Sequence, residues 1–187
     1  MRMLIASDLH GSLSSLHFLV ETTKSLKPDM LVLLGDLVYH GPRNRLPESY
    51  DTKQVLGDLS ALCSLDVAIT AVRGNCDAEV DVEHTPFPVV ENAWINADGL
   101  TIFASHGHRI PEVPPMPYSI PDGCVILRGH THIPRGESLH GFHFWNPGSL
   151  SLPKGGSKRS YGVYENRTFT VYTMDGERVL SHTPNNE

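Results

Sequence analysis

Residues 30–36 read Met-Leu-Val-Leu-Leu-Gly-Asp. An unbroken apolar run of this length, with no polar alternation, marks a strand buried on both faces, and it stops at a Gly-Asp pair. The same form occurs on either side of it. Upstream, "RMLIAS" ends at Asp8-Leu9-His10; downstream, "VAITAV" ends at Gly74-Asn75. Between the first two runs, Ser12 is placed to cap a helix with Leu13, Leu16, Leu19/Val20 and Leu26 on one face, which Pro28 stops. Between the second and third, Asp51 can cap another, with Val55, Leu56, Leu59, Leu62 and Cys63 on its buried stripe. Strand–helix–strand–helix–strand calls for a parallel sheet with right-handed crossovers.

The second half changes character. "VVENAWIN" and "LTIFAS" flank Asp98-Gly99, a hairpin-turn signal. "CVILRGH" is a further strand, and "SLHGFHFWN", "YGVYEN", "TFTVYT" and "RVLSH" are shorter strands joined by Gly- and Asn-containing turns. The expectation is one domain over residues 1–187, an α/β fold of two packed sheets with helices outside, its last residues (183–187) frayed. Two aperiodic loops, "LVYHGPRNRLPESY" and "RIPEVPPMPYSIPDG", follow candidate ligands and are read as walls of a site.

With 40% hydrophobic and 19% charged residues, the 187-residue chain has the composition of a globular protein able to bury a core. A net charge of −6 argues against a surface built for nucleic acid. Basic residues do gather at Arg43/Arg45 and Lys158/Arg159, the second pair reading as a solvated face. No apolar run approaches the ~18 residues of a membrane span. The opening "MRMLIASDLHG" lacks a signal-peptide core, and Cys63, Cys76 and Cys124 form neither a disulfide framework nor a CxxC pair. The expectation is a reduced, cytoplasmic protein without a membrane partner.

The polar residues at the strand ends carry the chemistry. Ligands of open α/β sheets bind outside the carboxyl ends of parallel strands. Three successive strands deliver Asp8, His10, Asp36 and Asn75 to one edge, and two later ones end in "SHGH" (His106, His108) and "GHTH" (His130, His132). Asp-x-His and His-x-His spacing puts both side chains on one face of an extended segment. Seven oxygen and nitrogen donors exceed what one four-coordinate ion needs; they suit two ions roughly 3.5–4 Å apart. Glycines before Asp36, Asn75 and His130 allow close backbone approach. Singly, each residue has a plainer reading: Asp8 a helix cap, Asp36 and Asn75 turn formers, His132 a structural histidine. Those readings give no reason for strand after strand to end in a ligand-type residue.

"SDLHG", "LGDLVYHG", "RGNCD", "SHGH" and "RGHTHIP" resemble, in order, the motifs of calcineurin-like metallophosphoesterases; "YHGPRN" and "NPGSLSLP" resemble the short bacterial YfcE-type phosphodiesterases. The resemblance implies a four-layer α/β/β/α sandwich and hydrolysis of small phosphodiesters by a metal-bound hydroxide. It implies one ion on Asp8, His10, Asp36 and His132, a second on Asp36, Asn75, His106 and His130, with Asp36 bridging. Carboxylate, amide and imidazole donors suit Mn²⁺, Fe²⁺ or Zn²⁺, and the resemblance tilts this toward manganese. It also allows a homo-oligomer. The catalytic positions it implies are Asn75, Cys76 and His106. On the substrate side, Cys76, His108, Arg109, His40 and Asn44 are candidates, the last four against a plain reading as solvated loop residues.

Cys76 departs from the pattern, because most members of the larger family carry histidine there, thought to contact the phosphate and assist the leaving group. The reading is a residue lining the substrate side, ahead of inert packing, with nucleophile or metal ligand last. Asp77 then lacks the histidine it normally orients. Cys63 and Cys124 read as core residues, and "WNPGSLSLP" as structure rather than chemistry. Two rival classes stand against the enzyme. One is a protein-binding scaffold of the same fold, like the phosphoesterase-like subunit of retromer, which lacks some ligand-type residues that are all present here. The other is a metal-dependent nuclease, which needs a basic groove or stacking aromatics that the −6 charge and 7% aromatic content do not advertise.

Overall fold

The computed structural model describes residues 1–113 and 115–184. Arg2–Ala6 (β1), Met30–Leu33 (β2), Ala68–Val72 (β3) and the two-residue Val89–Val90 (β4) run parallel. Ser160–Glu165 (β10), Thr168–Thr173 (β11) and Arg178–His182 (β12) extend that sheet antiparallel beyond β1, giving the order β12-β11-β10-β1-β2-β3-β4. The second sheet orders Asn92–Ala97 (β5), Leu100–Ser105 (β6), Val125–Leu127 (β7), Phe142–Pro147 (β9) and Pro134–Leu139 (β8) as β5-β6-β7-β9-β8.

Strand parity sorts the core. Met3 and Ile5 of β1 and Val32 of β2 face the second sheet, where Ile102, Val125, Leu127 and Trp145 meet them. Leu4, Ala6, Leu31 and Leu33 face Leu16, Leu19, Val55, Leu59 and Leu62 of the helices. Phe103, Ile126 and Phe144, on the far side of the second sheet, lie under Ile110 and Ile120 of the Pro-rich segment. The four-layer sandwich is therefore present. Its fourth layer, among the described residues, is this segment with one 3₁₀ turn at Pro117–Ser119.

Leu13–Leu26 (α1) starts where expected, Ser12 Oγ accepting from Ser15 N at 3.3 Å, and ends at Lys27 in the left-handed region before Pro28. Asp51 caps the next helix through Gln54 N. That helix is broken into Thr52–Asp58 (α2) and Ser60–Cys63 (α3), and Cys63 is exposed rather than core. A further turn of helix, Glu79–Glu83 (α4), follows β3. "VVENAWIN" also divides, Val89–Val90 joining the first sheet and Asn92–Ala97 the second. The Asp98-Gly99 hairpin forms with φ of 50° and 78°. Thr183 and Pro184 depart from the expected fraying, Thr183 hydrogen-bonding Thr168 at 2.8 Å and Pro184 being buried; residues 185–187 lie outside the described residues.

Candidate metal centre

Asp8 and His10 follow β1, Asp36 follows β2, Asn75 follows β3, His106 follows β6, and His130 and His132 follow β7. Five of the seven, Asp8, His10, Asp36, His130 and His132, have φ between 49° and 66°. Left-handed backbone at so many adjoining non-glycine residues costs free energy, and such strain gathers at functional sites. Crowding accompanies it. A Cβ on Gly74 would collide with Asp36 Oδ1, and one on Gly129 with Ser7 Oγ.

The hydrogen bonds around the cluster fix which atoms point inward. His10, His106 and His132 each direct Nδ1 at a backbone carbonyl: Tyr39 O at 2.8 Å, Leu34 O at 2.6 Å, and Leu152 O. A carbonyl only accepts, so each ring, when neutral, carries its proton on Nδ1 and turns an Nε2 lone pair into the cluster. His10 Nε2 and His132 Nε2 are then 3.2 Å apart, acceptor against acceptor, and Asp8 Oδ1 lies 3.2 Å from His132 Nε2 with no donor of its own. Asn75 Oδ1 faces His106 Nε2 at 3.0 Å in the same way. Once the rings are neutral, buried acceptors converge here without donors, so the residues fit a cation in place of those protons.

The carboxylates are pinned as firmly. Asp8 Oδ2 accepts from Ser7 Oγ at 2.6 Å and from His130 N at 3.1 Å, while Ser149 and Ser151 hydroxyls both donate to Asp8 O at 2.8 Å. The segment "NPGSLSLP" thus braces the ligand loops. Asp36 Oδ1 accepts from Cys76 N at 2.8 Å. Its Oδ2 lies 3.7 Å from His10 Nε2 and 3.4 Å from His106 Nε2, between the two groups. Asp77 accepts the backbone N–H of Asp36, Leu37 and Gly74, each at 2.8 Å, and so ties the second and third ligand loops together. That is the role the missing histidine left open.

Atoms of Asp8, His10 and His132 form one group with metal-ligand spacing, and those of Asp8, Asp36 and His106 another. Asn75 joins the second through His106. His130 is half-buried, its ring 5.1 Å from that of His106, on the wall of the same cleft. Cys76, placed last among ligands from sequence, comes within ligand spacing of His10 and Asp36. Burial, then Asp36, Asp77 and Asp8, push its thiol up to about 12. A thiol held protonated is a poor nucleophile.

Burial alone would lower His106, but the carboxylates of Asp36 and Asp8 outweigh it and push the ring up to about 9. His10 is raised by the same balance, and Asp8, despite burial, is held well below the usual carboxylate range by His10 and His132. Burial and His106 push His130 down to about 4, so it stays neutral. A cation must displace the protons of His106 and His10. The raised His106 stabilises the metal-free fold fully below 6.5, and that contribution is lost as pH rises through about 9. Metal affinity should therefore climb across that interval, by up to about tenfold per pH unit for each proton displaced. Proton release on adding metal, followed by pH-stat, checks this; metal uptake without protons at neutral pH would contradict it.

The substrate-side candidates separate. Cys76 and Asn44 line a cleft of about 910 Å³ together with Asp36, Asn75, His130 and His132. His108 stands beside His106, ring centroids 5.6 Å apart, with a buried and unpartnered Nδ1. His40 bonds Tyr50 OH at 3.0 Å and accepts the Asn44 amide on its carbonyl at 2.8 Å, so it shapes the loop behind the cleft. Arg109 is exposed and is not among the residues that line the cleft. Sequence reasoning missed Tyr39, Arg73, Thr131 and Lys154, which line it too. Only adjacency to ligand motifs could have signalled them.

Two mixed sheets carrying a buried carboxylate–imidazole array at their strand ends define a metal-dependent phosphoesterase fold. The chain belongs to the calcineurin-like phosphoesterase superfamily, whose domain model matches residues 1–168. It is 36% identical over 184 residues, 97% of its own length and 96% of the relative's, to phosphodiesterase YfcE of Escherichia coli K12. Its fold superposes on the structure of the phosphoesterase YfcE from E. coli with a TM-score of 0.89 at 35% identity, covering 99% of this chain and all of that one. A Vps29 structure from Entamoeba histolytica, complexed with zinc, shares the fold at a TM-score of 0.59 and 21% identity over 96% of this chain and 98% of that one. No helix among the described residues is long and apolar enough to cross a membrane.

Proposed function

We propose that this chain is a single-domain phosphodiesterase for small phosphoesters that holds two divalent cations. The observation that carries the reading is the convergence of Nε2 atoms and carboxylate oxygens at the strand ends, donor-free once the rings are neutral. Asp8, His10 and His132 hold one cation, and Asn75, His106 and His130 the other. Asp36 reaches both, its Oδ2 lying between His10 and His106. Held by these residues, two divalent cations would supply a lowered pKa for water and neutralisation of charge on the phosphoryl oxygens. Oxygen and nitrogen donors with a neutral thiol at the margin fit manganese, with iron or zinc also accommodated. The shared core of the two sheets supports reading the chain as one domain, and three free cysteines suit a reducing compartment.

The chain's own residues set the geometry. The carbonyls of Tyr39, Leu34 and Leu152 orient the imidazoles, and Asn75 and His106 are the residues assigned to the phosphoryl side of the site. Cys76 lines the substrate side as a neutral group. Turnover of bis(p-nitrophenyl) phosphate and of p-nitrophenyl phosphate, by metal-stripped protein and with added Mn²⁺, Zn²⁺ or Mg²⁺, tests the reading. No hydrolysis with any metal would instead favour a scaffold of the Vps29 kind.

Cys76 bears on selectivity. A monoester carries nearly two charges at neutral pH, its second pKa lying near ~6. A neutral thiol offers such a dianion no positive charge and, with its pKa pushed up to about 12, only a weak proton donor. Cys76→His should raise monoester relative to diester kcat/KM by about 10- to 100-fold. Cys76→Ala should keep most diester turnover. Complete loss in the alanine variant with metal still bound would place the thiol in the chemistry.

A further inference from the structure

The chain's net charge is −6, yet every charged side chain that lines the metal cleft, apart from Asp36 and Asp77, is either a cation or one of the histidines. Asp36 and Asp77 are spent on the ligand loops themselves. The cations are Arg43, Arg73 and Lys154. Arg73 is partly committed, its Nε donating to Asp77 O at 3.1 Å. Among the described residues, the guanidinium of Arg43 and the amine of Lys154 have no hydrogen-bond or ion-pair partner.

Both sit on backbone fastened to the centre. Lys154 N donates to His132 O at 3.2 Å, two residues after the carbonyl that orients the His132 ring. Arg43 lies in the loop that begins at Asp36. Gly41 packs so close to Cys76 that a Cβ there would stand 2.8 Å from Sγ, and Asn44 clips the turn through His40 O. The two cations are thus set on the wall of the cleft by the same segments that place the ligands. A separate cleft of about 450 Å³ is lined by Arg45, Glu48 and Arg159, of which Arg159 is paired with Glu48 at 3.0 Å.

A simple diester brings one negative charge, which the metal centre takes up. Arg43 and Lys154 are both exposed; no carboxylate among the described residues neutralises them, and one is a guanidinium suited to bidentate contact with phosphate, so a second anion on the substrate would meet two cations that a diester with neutral ends leaves unused. Resting on the phosphodiesterase reading above, we infer that the substrate carries a second phosphate-type anion beyond its scissile phosphodiester, and that Arg43 and Lys154 bind it. This sets selectivity: substrates with a terminal phosphate or phosphonate are taken in preference to diesters with neutral ends.

Two aryl diesters with the same scissile bond and leaving group test this: p-nitrophenyl 3-phosphonopropyl phosphate and p-nitrophenyl butyl phosphate. With Mn²⁺ present, the phosphono ester should show roughly 10- to 100-fold higher kcat/KM, the range of charge-assisted hydrogen bonds to an anion. In the Arg43→Ala, Lys154→Ala double variant that ratio should fall to near one. Calorimetric titration with 1,3-propanediphosphonate supplies a readout independent of turnover, with binding to the unaltered protein expected to weaken by a similar factor in the double variant. Hydrolysis of both esters at equal efficiency, or a preference that survives the double variant, overturns the inference and leaves the phosphodiesterase reading intact. If neither ester is hydrolysed, that reading fails, and the titration alone decides: equal binding to both proteins overturns the second-anion site, and loss in the variant upholds it.

Discussion

An Asp36→Asn protein is expected to lose about 10³-fold or more in diester turnover, roughly 4 kcal/mol of transition-state stabilisation, and to retain its fold. The side chain has two tasks. Oδ1 accepts from Cys76 N at 2.8 Å, and Oδ2 is placed between Nε2 of His10 and Nε2 of His106. Asparagine can keep one oxygen acceptor but puts an NH₂ at the other position and removes the negative charge, so both halves of the array weaken together. The residue lies past the end of β2, outside the apolar cores, which is why unfolding should change little. Metal content of the purified variant beside its thermal unfolding is the check. Unchanged metal content with normal turnover would remove Asp36 from the bridging position.

Asp77→Asn should do the reverse, costing stability first and activity as a consequence. Both carboxylate oxygens of Asp77 are engaged by three backbone N–H donors at 2.8 Å. An amide offers one acceptor oxygen and turns an NH₂ toward donors, leaving buried N–H groups unpaired. Burial and the nearby Asp36 charge raise the Asp77 pKa, yet the three donors favour the ionised form, which is the acceptor the loops need. A loss of roughly 3 kcal/mol is expected, which for a chain of this size lowers Tm by roughly 6–12 °C. Because two donors belong to the Asp36 loop and one to the Asn75 loop, metal affinity should fall as well. A Tm within a degree or two of the unaltered protein would show that the loops are held by other means.

What the sequence made legible follows local rules. The apolar runs ending at Asp8, Asp36 and Asn75 gave strands and ligands at once, because parallel strands present their carboxyl ends to one edge. Ser12 and Asp51 were readable as caps because a cap acts over three residues. The unreadable parts depend on contacts between distant residues. Nothing local shows that Asp77 reaches Asp36 N, 41 positions away, or that Ser149 and Ser151 reach Asp8 O across more than 140. Cys63 has the spacing of a buried stripe, but the break after Asp58 turns it outward. Net charge misled in one respect: −6 over the whole chain hides a cleft in which Arg43, Arg73 and Lys154 gather.

A two-cation site built on Asp36 is tested most directly by the metal content of the active protein, measured by titrating metal-stripped protein with Mn²⁺ while following bound metal and bis(p-nitrophenyl) phosphate turnover together. Two equivalents per chain should bind, with turnover rising as the second is filled, and His10→Ala and His106→Ala should each remove one equivalent and nearly all activity. Full turnover at one equivalent, or with no bound metal, would rule out a two-cation centre.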